Sequence, residues 1–352
     1  MLPVAWPDVV VFFPAAVRPL VSTSPAPMLS FVIVARRFRH TKRVLLHLLQ
    51  QHALGQVEVV LVTESRATFG ADDAVLMRFP YCAVIEVGPI HDVSAAIAHG
   101  MRSASAPLVV LGEDHAFPAA DFAARIIDRS GESWTALGPA IFNANPTASL
   151  SWAMLLTSYT DWVEVERGGV WYDLPGHNSC YRREALMTLG DALPRLVRPG
   201  GGLHAALRAS GAQLVLDPTL RVHHLNPSRP SVSLQHRIES GRVQASMDVQ
   251  RGNRSIARRL LSIPQCPMQW ARRSLWGLRA WRRIRRRELR TANDAARSPA
   301  IVLWIVIAAG CAALGELVGT WVGCGNRQLA LAEFELDRDR LRSPRDTEVV
   351  VA

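Results

Sequence analysis

Three short runs constrain the fold of this chain more than any other feature: LSFVIVA at 29–35, VEVVLVTES at 57–65 and PLVVLG at 107–112. Each is apolar and β-branched nearly throughout, which suits a strand covered on both faces. Helical spacing fills the gaps. HTKRVLLHLLQQHAL puts Val44, Leu45, Leu48 and Leu49 along one side of a helix, and VSAAIAHGMRSASA reads as a small-residue helix capped near Ser94. Strand, helix, strand, helix, strand implies right-handed crossovers, so the spacing predicts an α/β domain with a mostly parallel central sheet. Ligands of such sheets bind beyond the carboxyl ends of the strands. Glu64 lies at the end of the second run, and Glu113, Asp114 and His115 follow the third.

Two carboxylates and an imidazole at the end of a buried strand are hard and borderline metal ligands on a rigid edge. A divalent cation, Mn2+ or Mg2+, fits them, with phosphate oxygens and water completing its shell. The competing reading is a solvated turn in which Asp114 caps the next segment. No GxGxxG, Walker loop or HExxH occurs to suggest other chemistry.

Charge divides the chain. The net charge is +10, yet between Arg254 and Arg297 thirteen arginines face only Glu288 and Asp294. That segment carries an excess of eleven, and the remainder is close to neutral. Arginine and tryptophan interleave in QWARRSLWGLRAWRRIRRREL, where Trp270, Leu278, Trp281 and Ile284 fall along one side of a helix. Next comes IVLWIVIAAGCAALGELVGTWVG at 301–323, long enough to cross a bilayer core and interrupted only by Glu316. Spanning and lying shallow in the interface both remain open. The apolar neighbour favours an anionic membrane surface over nucleic acid as the partner of the arginines. Five scattered cysteines without CxxC suggest reduced thiols. The first twenty residues lack a basic start and are broken by prolines, so they are not read as a signal peptide.

The runs at 29–65 and AAIAHGMRSASAPLVVLGEDHAFP resemble the opening strands, helices and metal motif of the family 2 glycosyltransferases of the GT-A fold. GPAIFNANPTASLSW and LPGHNSCYRREAL are similar to a bacterial membrane-associated subgroup with Asn-Ala-Asn-Pro and Leu-Pro-Gly-His-Asn motifs, and GELVGTWVG to its C-terminal membrane segment. The resemblance covers roughly 29–226. It implies a nucleotide-sugar-binding domain and inverting transfer of a sugar to an acceptor hydroxyl. It places Glu64 at the nucleobase, Glu113 and Asp114 at the diphosphate, and Asp114, His115 and His224 as metal ligands. Asn178 and Arg182 join the donor site on this reading. Asn145 and Trp152 are candidates for the sugar, with a bracing role in a turn and a place in the core as their alternatives.

The sequence departs from the family pattern twice. His115 stands where the metal motif ordinarily has Asp. The acid usual ahead of LHAALRASG is absent, and the stretch reads RPGGGLH. His177, on a Pro-Gly turn, is the expected substitute base, with Asp173 a weaker candidate and His204 a further one. The expected organisation is an extension at 1–28, a transferase domain at 29–230, basic membrane-surface helices at 231–298, a membrane helix at 299–325 and a polar tail at 326–352. The expected function is sugar transfer from a nucleotide-diphosphate sugar to a glycan or lipid-linked acceptor, on the cytoplasmic membrane with the catalytic domain facing the cytoplasm. The alternative is a degenerate fold that binds nucleotide sugar or scaffolds a membrane assembly.

Overall fold

The computed structural model describes residues 10–12, 26–252, 259–288, 296 and 298–341. The arginines at 254, 258, 290 and 297, most of the 1–28 extension and the end of the polar tail lie outside the described residues. The chain divides into two compact units, one comprising 1–139 with 168–220, the other 140–167 with 221–352.

The strands are β1 (Val10–Phe12), β2 (Leu29–Val34), β3 (Val57–Thr63), β4 (Tyr81–Glu86), β5 (Leu108–Leu111), β6 (Ala116–Pro118), β7 (Ala136–Asn143), β8 (Gly169–Val170), β9 (Cys180–Arg182) and β10 (Leu214–His224). They run β1-β4-β3-β2-β5-β9-β7-β10-β6, with β8 beside β10. The division between the units falls within β7 and β10. The three apolar runs form the parallel heart of the sheet: Leu29 sits opposite Val57 on one side and Leu108 on the other. The strands β1 and β9 are antiparallel to their neighbours. This is the predicted α/β class.

In the first unit, α1 (Phe38–Leu48) buries Phe38, Thr41, Val44, Leu45 and Leu48, one face at helical spacing. The next long helix, α2 (Val93–Ser103), is capped two residues earlier than the sequence suggested. Asp92 is its cap and accepts from the Ser94 amide at 3.0 Å, while Ser94 itself is buried. Gly100 lets α2 lie against the sheet, since a Cβ there would stand 2.3 Å from Val32 Cγ1 and 2.8 Å from a Val62 methyl. Gly100→Ala is therefore expected to destabilise the protein by about 1–3 kcal/mol through overpacking. A urea titration would show a lower midpoint at unchanged slope, and an unchanged midpoint would contradict this packing. Further along are α3 (Phe122–Asp128) and, following the divide at β7, α4 (Ser149–Ser158), then α5 (Leu203–Ala209) in the first unit again. All five cysteines are unpaired, and burial, followed by Glu58, pushes the Cys82 thiol up to about 12.

The second unit holds α4 with α6 (Pro230–Gly252), α7 (Ser262–Glu288), α8 (Ala300–Val322) and α9 (Arg327–Leu336). Among the described residues α8 is the one helix long and apolar enough to cross a membrane, judged by length and composition. It packs closely against the more polar α6. Gly315 and Gly319 meet the backbone of Ile238 and Arg242, and Gly241 meets the Ala312 carbonyl, approaches that only glycine permits. Leu150 and Met154 of α4 pack on Ala308 of α8. Glu316, the lone charge in the apolar run, is ion-paired with Arg273 of α7. Arg237 on α6 is half-buried, and the loss of solvent around it, then Arg273, holds its guanidinium down at about 10, which still leaves it charged near neutral pH.

The apolar stripe expected on α7 is divided. Trp281 and Ile284 are buried, whereas Trp270 is exposed and donates from Nε1 to the Val306 carbonyl at 2.8 Å. The outward face instead carries Ile263, Met268, Leu275 and Trp276 among exposed arginines, with Arg272 over the Trp276 ring at 4.2 Å.

Candidate donor and metal site

The parallel strands β2, β3 and β5 end at one edge, and their following residues build the site. After β5, the Gly112 amide bonds the Val32 carbonyl at 2.9 Å. This continues the pairing with β2 for one residue past the strand. Glu113, Asp114 and His115 follow at once, all less than a tenth exposed. The acid expected after β3, Glu64, accepts from the Ile90 amide at 3.1 Å and pairs with Arg36, beyond β2, at 3.2 Å. Arg36 had no motif to mark it. Only its position after a parallel strand signals it.

A loop is clipped over this edge. The Asn178 amide donates to the Leu111 carbonyl at 2.6 Å, and the Leu111 amide donates to the Ser179 carbonyl at 3.3 Å. Asn178 has φ 65, the left-handed region that Asn enters more readily than most residues. This turn sends its Nδ2 to Glu113 Oε2 at 2.7 Å. His177, about one-third exposed, stands with Nδ1 3.7 Å from Glu113 Oε1.

The electrostatics of the triplet are uneven. His115 Nδ1 lies 2.8 Å from Asp114 Oδ1, and its Nε2 lies 3.5 Å from Glu113 Oε1. With its proton on Nδ1, shared with Asp114, the His115 ring keeps its lone pair on Nε2, the nitrogen that faces Glu113. Asp114 Oδ2 is buried and accepts no hydrogen bond among the described residues. A buried carboxylate oxygen left so is costly, and a cation relieves that cost. The donor set of carboxylate oxygen and imidazole nitrogen therefore fits a divalent cation.

The remaining candidates make contacts of their own. The Arg182 guanidinium stacks on Trp134 at 4.8 Å and bonds the carbonyls of Ser130, Glu132 and Trp134, so it ties a turn together. In the second unit, Asn145 is enclosed. Its Oδ1 accepts from Ser151 and from the Asn226 amide, and its Nδ2 donates to the Asn226 carbonyl. Asn143 Oδ1 accepts from Ser151, from the Asn145 amide and from Asn226 Nδ2, which completes a braced turn. Trp152 is buried and donates to the Pro146 carbonyl at 2.9 Å. His224 is buried too, with Nδ1 2.9 Å from Asn226 Oδ1 and its ring 5.0 Å from that of Tyr159. Asn226, which organises this network, follows the last strand and was not singled out from the sequence.

No protein-family model matches the chain, and no curated protein sequence matches it. Solved structures do. The mannosyltransferase PcManGT from Pyrobaculum calidifontis, in complex with GDP-Man and Mn2+, shares 16% identity at a TM-score of 0.53, covering 85% of this chain and 88% of its own. TarS of S. aureus aligns at 11% identity and a TM-score of 0.43, covering 67% of this chain and 42% of its own. A TarS 1–349 structure gives 13%, 0.42, 62% and 64%. The likeness to the mannosyltransferase shows a shared glycosyltransferase fold.

Proposed function

We propose that the chain is an inverting glycosyltransferase of the family 2 type, moving a sugar from a nucleotide-diphosphate donor to an acceptor near a membrane. The observation that carries this reading is the buried Asp114 Oδ2 without a hydrogen-bond donor, at the carboxyl edge of a parallel sheet beside His115 and Glu113. Asp114 would hold Mn2+ or Mg2+ through Oδ2, with His115 bonded to the other oxygen of that carboxylate, and the cation when bound would supply Lewis-acid stabilisation of a departing diphosphate. Asn178 orients Glu113, and Glu64, paired with Arg36 at the carboxyl end of β3, would serve as the nucleobase contact. The neighbouring mannosyltransferase's complex with GDP-Man and Mn2+ makes GDP-mannose the first donor to try.

Attachment to the cytoplasmic leaflet rests on the second unit. Its exposed apolar residues on α7, fringed by Arg272, Arg279, Arg282, Arg285 and Arg286, suit an anionic headgroup layer better than bulk water. A second reading, a degenerate transferase fold that scaffolds a membrane assembly, draws on Pro199–Gly202, which has no ionisable side chain.

The test is release of nucleoside diphosphate by the full-length chain from GDP-mannose and from UDP- and dTDP-hexoses. Release is expected only with Mn2+ or Mg2+, and EDTA should suppress it. Metal-independent release would contradict the cation site. Diphosphate binding without release from any donor would favour the scaffold.

A further inference from the structure

A second polar cluster lies in the first unit, on the loop that carries His177. His204 is the second residue of α5, and its ring is buried. Both ring nitrogens are engaged: Nδ1 pairs with Asp173 Oδ1, and Nε2 lies 2.9 Å from the Tyr181 hydroxyl. The two rings stack with centroids 5.8 Å apart and planes 15° apart. Tyr181 is fully buried, and burial, with the Asp173 charge second, pushes its phenol well above the usual range. The phenol therefore keeps its proton and can donate a hydrogen bond to His204 Nε2. The Asp173 carboxylate can only accept, so the imidazole proton that meets it sits on Nδ1, which the Leu174 amide also approaches, at 3.4 Å. The Leu174 amide also donates to Asp173 Oδ1, at 3.1 Å. At the outer end of this chain of bonds the Asp173 side chain is 56% exposed.

The result is a solvent-facing carboxylate aimed by a buried imidazole that is itself held by a buried phenol. A bond made only to pin a loop needs no such backing. Asp173 precedes His177 by four residues, so the chain keeps the two within roughly 14 Å even if fully extended. The loop is held close to the metal edge by Asn178, and the Tyr181 hydroxyl also reaches the Gly176 carbonyl at 3.3 Å. His177 faces the Glu113 carboxylate, on the donor side.

We propose that Asp173 is the proton acceptor of the transfer reaction and that His204, backed by Tyr181, is its positioning residue. The inference rests on the glycosyltransferase reading. In the step, the acceptor oxygen bonds to the anomeric carbon as the bond from that carbon to the diphosphate oxygen breaks. The electron pair of the broken bond leaves with the nucleoside diphosphate, and the hydroxyl proton passes to the Asp173 carboxylate.

The experiment uses the full chain with water as the acceptor, measuring Mn2+-dependent diphosphate release from the best donor. Calorimetry with the nucleoside diphosphate and Mn2+ gives affinity separately. Asp173→Asn is expected to lower turnover by about 10²–10⁴-fold with affinity within about threefold. Formate should partly restore Asp173→Ala. His204→Ala should lose about 10–100-fold, as outer partners of reacting groups do, and His204→Asn, whose Nδ2 can replace Nδ1, should recover most of it. Turnover that survives Asp173→Asn, or affinity that falls together with turnover, would overturn the assignment. So would wild-type chain that binds the diphosphate yet never releases it from a donor. Wild-type chain that binds no diphosphate with Mn2+ at all is a different result, and it overturns the transferase reading itself.

Discussion

Asp114→Ala is expected to weaken Mn2+-dependent binding of a nucleoside diphosphate by at least about 100-fold, since even partners one shell removed from a metal are worth about 10–100-fold. The same substitution should leave the metal-free protein as stable as before, or slightly more so. The reason is the uneven bonding of this carboxylate. One oxygen meets His115, while the other is buried and accepts nothing among the described residues. Removing a buried charge that the protein under-compensates relieves a desolvation cost. An Asp114 that served only to brace the turn would behave in the opposite way, with stability falling and Mn2+ having no effect. Thermal melts of both proteins with EDTA and with Mn2+ separate the cases. Wild type should gain about 2.7 kcal/mol at a cation concentration a hundredfold above its Kd, and the variant should gain little. Equal stabilisation of both by Mn2+ would return the triplet to a solvated-turn role.

The second large effect is expected at the membrane. Replacing Arg279, Arg282 and Arg286 by glutamate should lower partition onto vesicles containing anionic lipid by at least about 100-fold, taking roughly 1 kcal/mol for each basic residue near such a surface. All three are exposed, and none supplies a hydrogen bond or ion pair used above to hold the helices of the second unit together. Arg273 and Arg283 are a poor choice for this test, because one pairs with Glu316 and the other bonds the carbonyls of Thr160 and Val163. Binding to zwitterionic vesicles should change little. Sedimentation of the full-length variant with each vesicle type measures both. Undiminished binding to the anionic vesicles would remove the arginines from the interface and leave attachment to α8.

What could be read from the sequence follows from the range of the interactions involved. The runs that became β2, β3 and β5 declare themselves because burial on both faces demands apolar residues throughout, and the carboxyl edge then locates Glu64 and Glu113–His115. The cap of α2 at Asp92 is a competition between two neighbouring oxygens, which spacing alone does not decide. The stripe on α7 was visible but its partner was not, since packing on protein and packing on lipid ask for the same residues and here Trp281 and Ile284 are buried in protein. The division of the chain brings 140–167 together with residues beyond 220, a non-local choice with no local signature. Neither did the sequence pair Asp173 with His204, which stand 31 residues apart, or place Tyr181 behind them. Asn145 shows the converse limit: its motif stood out, and its side chain proves to be used within the turn.

The central claim is a divalent cation held at the end of β5. Crystals of the full chain grown with Mn2+ and a nucleoside diphosphate, measured for anomalous scattering near the manganese edge, test it most directly. The account predicts a manganese peak within about 2.0–2.4 Å of Asp114 Oδ2, with a diphosphate oxygen beside it. A diphosphate bound with no manganese at Asp114, or manganese bound only elsewhere, would contradict it.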